Sequence, residues 1–151
     1  NYLIEDNPIR VYAEMQQKLH PNHEDSITSL ISYSRGVLAV LNINYLSPTK
    51  TRLLKIFGKK GMFKVNYLNQ ELYFYENKSF SKDNWDGVSE GDMRRITISR
   101  KEPLLAEIEA FLCSIRKNIP SPISGEHGLH ILRTAHIVMQ SAKRREIIHI
   151  Q

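Results

Sequence analysis

Over the first hundred residues, apolar and polar positions alternate with a period of two. After that the period lengthens to about 3.6. Val11, Ala13 and Met15 alternate with Tyr12, Glu14 and Gln16, which predicts a strand from Val11 to Gln17. The polar stretch His20-Pro21-Asn22-His23-Glu24-Asp25 predicts a turn, because Pro and Asn favour reversals. Ile27 to Tyr33 alternates again, Arg35-Gly36 reads as a tight reversal, and Val37 to Leu46 is the return strand. Thr51 to Phe57 predicts a further strand, followed by the glycine-bracketed Gly58-Lys59-Lys60-Gly61. Met62 to Leu68 and Glu71 to Glu76 predict a hairpin across Asn69-Gln70. Residues 77–92 contain Asp86-Gly87 and Glu90-Gly91 with little periodicity and read as a loop, after which Arg94 to Ser99 is one more strand. Glu102-Pro103 opens a helix over 102–118 with the stripe Leu104, Ile108, Phe111, Leu112 and Ile115. Ser124 caps a second helix over 124–145, lined by Ile131, Leu132, Ala135, Val138, Met139 and Ala142. Its capping box lacks the reciprocal Glu, because His127 stands there. Glu146 to Ile150 predicts a short closing strand.

Antiparallel strands followed by two helices indicate an α+β fold, an open, mostly antiparallel sheet with helices packed on one face. Several strands carry large side chains on both faces: Phe63, Val65 and Tyr67 against Met62 and Leu68, and Leu72 and Phe74 against Tyr73 and Tyr75. Two helices shield one face, so the other needs cover of its own. We therefore expect self-association through the helix-free face, with Phe63, Tyr67, Phe74 and Tyr75 as interface residues and a two-fold dimer as the simplest form. A preceding domain, or the segment 77–92, is the other candidate cover.

Composition narrows the picture. The chain has 151 residues, 41% of them apolar and 25% charged, which suits one domain with a real core. No stretch approaches the roughly 20 apolar residues of a membrane helix, and no basic-then-apolar signal segment opens the chain. The single cysteine, Cys113, sits in the apolar pattern of the first helix, reads as a core side chain, and points to a reducing, cytoplasmic setting. The net charge of +5 is dispersed, apart from Lys59-Lys60, Arg94-Arg95 and Lys143-Arg144-Arg145.

Candidate chemistry is sparse. Gly58-x-x-Gly61 lacks the third glycine of a dinucleotide fingerprint and leads into a strand, so it reads as a turn. His20 and His23 beside Glu24 and Asp25, and His127 with His130, have two-histidine spacing without the further ligands of a metal site. Phe63, Lys64 and Tyr67 interleave aromatic and basic character as a single-strand nucleic-acid platform does, and as half-buried sheets also do. No catalytic, cofactor-binding or metal-binding residue is assigned.

Three segments in order resemble the C-terminal domain of the glucose–fructose oxidoreductase, inositol dehydrogenase and rhizopine-catabolism (Gfo/Idh/MocA) family. They are Pro8-Ile9-Arg10-Val11-Tyr12-Ala13 with Ser26 to Leu41; Pro48 to Met62; and Glu102-Pro103-Leu104-Leu105-x-Glu107-x-x-x-Phe111 with Pro122-Ile123-Ser124-Gly125-Glu126-x-Gly128-Leu129 and Gln140-Ser141-Ala142. The resemblance implies a preceding Rossmann domain, absent from this chain, that binds NAD or NADP. It also implies a catalytic Lys in that domain and a catalytic His on a helix ending where Asn1-Tyr2-Leu3-Ile4 stands. Neither motif lies within residues 1–151, so no catalytic residue is carried over and no nicotinamide binding is expected of this chain alone. Departures are His127, where an Asp is usual, and the missing Gly near Arg144. The resemblance implies a substrate-side and oligomerisation domain of an enzyme acting on a sugar, polyol or related hydroxy compound. The alternative is a stand-alone small-ligand or nucleic-acid binding module without catalysis.

Overall fold

The computed structural model describes residues 3–82 and 85–150, without the side chains of 79–82, 85–88 and 90. Asn1 and Tyr2, where the resemblance places the end of a helix, lie outside the described residues. The elements run β1 (Pro8–Gln16), β2 (Ser26–Tyr33), β3 (Leu38–Asn44), β4 (Leu53–Gly58), β5 (Gly61–Asn66), β6 (Glu71–Lys82), β7 (Trp85–Ile96), α1 (Pro103–Lys117), α2 (Gly125–Arg144) and β8 (Ile148–His149). All pairings are antiparallel, and the fold is α+β. The strands form two four-stranded sheets, β3-β2-β1-β8 and β4-β5-β6-β7, where the sequence pattern suggested one. The chain accordingly divides into two compact units, Asn1–Pro48 with Ala110–Gln151, and Thr49–Glu109.

In the first unit, alternation puts Val11, Ala13 and Met15 on one face of β1 with Ile31, Ile27 and Ala39 from its neighbours. The helix α2 covers that face. Val11, Ala13, Ile31, Tyr33, Val138 and Ala142 form the buried core. Burial of Val11, Ile31 and Val138 contributes roughly 1.5–3 kcal/mol each. Only the C-terminal half of α2 takes part. Leu129, Ile131 and Leu132 in its N-terminal half stay exposed, so the predicted stripe from Ile131 to Ala142 is buried at one end only. Ser124 is the N-cap, in extended backbone, and its hydroxyl accepts from the His127 amide at 3.2 Å. At the other end Arg145 adopts φ 55°, ψ 40°, and its amide donates to the Ser141 carbonyl. A glycine would take this left-handed cap almost without cost, whereas Arg145 bears roughly 1–2 kcal/mol of strain.

The strand β8 pairs with β1 only at Arg10 and Val11. Where β8 stops, Ser141 of α2 takes over, its hydroxyl accepting from the Ala13 amide at 3.0 Å and donating to the Glu146 carbonyl at 2.6 Å. The β1–β2 loop is closed by Asp25, which is 1% exposed. Its carboxylate accepts the amides of Lys18, Leu19 (2.8 Å) and His20 (3.2 Å). These backbone hydrogen bonds, Lys18 first, hold the Asp25 carboxyl below its ordinary value of 3.8. A depressed native pKa adds stability that is fully present above the unfolded value and lost as pH falls through the native one. Melting midpoints of the native protein and Asp25→Asn should therefore differ at neutral pH and converge as pH falls below the ordinary value of 3.8. A constant gap across that range, followed by calorimetry, would show that the carboxylate charge is not what closes the loop.

The second unit corrects the reading of residues 77–92 as a loop. Backbone pairing continues from Asn77↔Glu90 to Lys82↔Trp85, so β6 and β7 are twelve-residue strands that outrun β5. Arg94 belongs to the end of β7, not to the start of a new strand. The ladder shifts register between Tyr75 and Asn77, where an added Cβ on Gly91 would collide with the Glu76 carbonyl oxygen. The glycine that looks like a turn signal in sequence is a close approach at a bulge. Gly58-Lys59-Lys60-Gly61 is the two-residue hairpin between β4 and β5. Its carbonyls are taken by Asn77, whose side-chain amide donates to Gly58 (3.1 Å) and Lys59 (3.3 Å) and whose backbone amide donates to Lys60 (3.1 Å).

Candidate functional site

The register of β4 to β7 assigns every side chain of the second sheet to a face, since directly opposed residues project the same way. One face carries Ile56, Phe63, Phe74 and, at its edge, Arg94 in one row, and Leu54, Val65, Leu72 and Ile96 in the next; Arg94 is ion-paired with Glu76 at 3.9 Å. Phe63 and Phe74 are in ring contact, with centroids 4.9 Å apart. Phe63, Ile56 and Ile96 remain exposed, and Phe74 is half-buried. The opposite face carries Lys55, Lys64, Tyr73 and Arg95 in one row and Phe57, Met62, Tyr75 and Met93 in the next.

The four expected interface residues therefore separate. Phe63 and Phe74 share the apolar face, Tyr75 lies on the basic one, and exposed Tyr67 sits in the turn after β5. The interleaved Phe63, Lys64 and Tyr67 do not form one platform, because Phe63 and Lys64 point to opposite sides. Basic and aromatic groups meet instead across strands, at Lys64, Tyr73 and Tyr75. Sequence reading along one strand missed this set; only the register identifies it.

The first unit offers two concavities. A polar one of about 900 Å³ is lined by Leu3, Glu5, Asp6, Asn7, Pro122, Ser124, Glu126, His127 and His130. Asp6 anchors its floor, accepting from the Ser34 hydroxyl and from the Arg35 amide at 2.9 Å. Arg35 in turn donates to the carbonyls of Ile4 (2.8 Å) and Glu5 (2.6 Å), so the segment before β1 is fastened to the β2–β3 reversal. The Ser34 hydroxyl is the main reason the Asp6 carboxyl titrates below its ordinary value. The Ser124 hydroxyl does the same for Glu126. Among the described residues, His130 Nε2 is buried without a hydrogen-bond partner. An apolar concavity of about 770 Å³ runs along α2, lined by Pro8, Leu129, Leu132, His136, Ile137, Ile150 and their neighbours.

His20 lies beside the Asp25 loop, and Asp25 is turned inward onto backbone amides. Among the described residues no three His, Cys, Asp or Glu side chains are placed to share a metal ion. Cys113 is a half-buried free thiol on α1. The stripe it neighbours is open: Leu104, Ile108, Phe111, Leu112 and Ile115 are exposed, and Ser114 is the buried residue of the helix. No helix among the described residues is long and apolar enough to cross a membrane. What these units offer is surface: an apolar sheet face, a basic sheet face, two concavities and uncovered helix stripes.

The fold is an α+β domain of two antiparallel sheets and two helices. The chain belongs to the Gfo/Idh/MocA oxidoreductase family, matching its C-terminal alpha/beta domain over residues 1–150. Solved structures agree on the fold. A UDP-N-acetylglucosamine 3-dehydrogenase, GnnA, from Acidithiobacillus ferrooxidans matches at TM-score 0.80 and 23% identity, over 95% of this chain and 43% of its own. An aldose-aldose oxidoreductase from Caulobacter crescentus, complexed with glycerol, matches at TM-score 0.76 and 16% identity, over 99% and 43%. An oxidoreductase from Agrobacterium radiobacter, in complex with NAD+, L-tartaric acid and magnesium, matches at TM-score 0.68 and 15% identity, over 98% and 44%. The chain thus spans less than half the length of these relatives. No curated protein matches it.

Proposed function

We infer that this chain is the substrate-side and self-association domain of an NAD- or NADP-dependent oxidoreductase acting on a sugar, polyol or related hydroxy compound. The observation that carries the reading is the family match across residues 1–150 to a domain described as C-terminal. Hydride transfer and cofactor binding belong to a preceding dinucleotide-binding domain. The chain's own residues supply shape. The open stripe of α1 and the exposed Leu129, Ile131 and Leu132 of α2 are suited to bury against such a domain. The Asp6–Arg35 network fixes the direction in which the segment before β1 enters the fold.

The apolar face of the second sheet is suited to a second copy. Leu54, Ile56, Phe63, Val65, Leu72, Phe74 and Ile96 make a patch that one two-fold axis lays against itself, and such patches are uncommon on monomers. The opposite face is a poorer candidate, because pairing it with itself brings lysines near lysines. In analytical ultracentrifugation at micromolar concentration the chain should sediment at twice its 17.5 kDa mass. Phe63→Lys with Phe74→Lys should return it to a monomer, whereas Phe57→Lys on the other face should not. A monomeric native chain, or dimer loss through Phe57, would overturn the assignment of the face.

A further inference from the structure

We propose that the polar concavity of the first unit is a binding site for an aliphatic diamine, with Glu5 and Glu126 taking its two ammonium groups and His130 lining the wall beside them. The concavity measures about 900 Å³, within the roughly 300–1,000 Å³ of small-molecule sites. All its lining residues belong to that one unit. They include three carboxylates, Glu5, Asp6 and Glu126, and neither Lys nor Arg. On a chain of net charge +5 this is a local reversal of sign, and a concave wall concentrates its field. Asp6 serves the fold: its side chain is 6% exposed and accepts from Ser34, Arg35 and Asn7. Glu5 and Glu126 are exposed, and among the described residues no cation pairs with either. Glu5 is set in place by its backbone, with φ at 49° and the Arg35 guanidinium donating to its carbonyl at 2.6 Å and to that of Ile4 at 2.8 Å.

An anion is the usual guest at a helix N-terminus, but this one is already closed. The Ser124 hydroxyl accepts from the His127 amide at 3.2 Å, the Ser124 carbonyl accepts from the Gly128 amide at 3.0 Å, and Glu126 puts a negative charge in the first turn. A bare metal ion fits no better, because among the described residues no three His, Cys, Asp or Glu side chains are placed to share one. An organic cation suits what remains: an ammonium group brings only donors, and carboxylates offer only acceptors. His130 is the independent observation. Its Nε2 is buried and, among the described residues, has no hydrogen-bond partner. Buried polar atoms in that state are uncommon. This one belongs to a residue lining the concavity, where a ligand N–H would satisfy it. Two carboxylates from separate segments favour a molecule with two ammonium groups, and Leu3 and Pro122 give its methylene chain an apolar wall. The site does not rest on the oxidoreductase reading.

The test is isothermal titration of the 151-residue chain with putrescine at neutral pH and low salt. Saturable binding is expected, weakened about tenfold by Glu5→Gln or Glu126→Gln, the loss of one charge-assisted contact. His130→Phe should weaken it several-fold. Glu107→Gln with Glu109→Gln, on α1, should leave it unchanged. Butanediol, with hydroxyls in place of the ammonium groups, should not saturate the native chain, and this arm is independent of any folding defect in a variant. Butylamine should bind about tenfold more weakly than putrescine. Absence of saturation at millimolar putrescine, equal binding of butanediol, or equal loss from the α1 glutamates would overturn the site. Equal affinity for butylamine would overturn the second ammonium contact. Displacement of putrescine by micromolar zinc would replace the assignment with a metal site, and saturable binding of inorganic phosphate lost in Ser124→Ala would replace it with an anion site. None of these failures touches the self-association test, so the two readings fail separately.

Discussion

Gly61→Ala is expected to lower the stability of the second unit by about 3 kcal/mol or more, at the severe end for a single substitution. The glycine opens β5 and lies opposite Glu76 of β6. A Cβ there would collide with the Tyr75 carbonyl oxygen and stand 2.7 Å from the Phe74 ring. Neither can yield cheaply. The Tyr75 carbonyl belongs to the backbone of the partner strand, and the Phe74 ring is held by Phe63. Overpacking of this kind is relieved only by moving backbone or forcing a side chain off its rotamer. Gly36 is the control: its φ of 82° favours glycine, but an added Cβ meets nothing within 4 Å. Gly36→Ala should cost only the left-handed strain of roughly 1–2 kcal/mol. Native-state amide exchange would localise the effect, with protection falling across β4, β5 and β6 while β1 and β2 keep theirs. Uniform loss in both units, or none, would show that the hairpin tolerates the methyl group.

Removing one hydroxyl should be nearly as costly in the first unit. Ser141→Ala leaves the Ala13 amide without its 3.0 Å acceptor and the Glu146 carbonyl without its 2.6 Å donor. Ser141 and Ala13 are both 0% exposed, so water does not replace what is lost at the amide. A buried donor left unsatisfied costs about 1–3 kcal/mol, and with the second bond we expect roughly 2–4 kcal/mol. With an m-value of about 1–3 kcal/mol per M, the urea midpoint should fall by about 1–2 M. Ser114→Ala is the matched control. Ser114 is also buried, but its hydroxyl donates only to the Phe111 carbonyl of the same helix, at 2.7 Å. Such local back-bonds add little, so the change should cost less than about 1 kcal/mol. Equal effects from the two serines would mean that closing β1 beyond β8 is not what Ser141 contributes.

Local signals were enough for the elements whose causes are local. Pro103 at the first position of α1, Ser124 before α2 and the 3.6-residue period placed both helices within a residue or two of where they lie. Alternation placed β2, β4 and β5 equally well and found β1 three residues late at its start; in β1 and β2 one buried face is written into every second residue. The order of motifs from Pro8 to Ala142 was sufficient to identify the family, and the matched span confirms it. Three things were decided only by tertiary structure. The strand character of 77–92 comes from a ladder between β6 and β7 that satisfies the backbone whatever the side-chain pattern, and Gly91 is there because a neighbouring carbonyl leaves no room for a Cβ. The division into two sheets turns on consecutive β3 and β4 not pairing and on β8 returning to β1, choices on which periodicity is silent. The basic row Lys55, Lys64, Tyr73 and Arg95 draws one residue from each of four strands, so it exists only once register is fixed. A sequence records which side of its own strand a residue faces, but its neighbours across the ladder are set by how the strands are aligned.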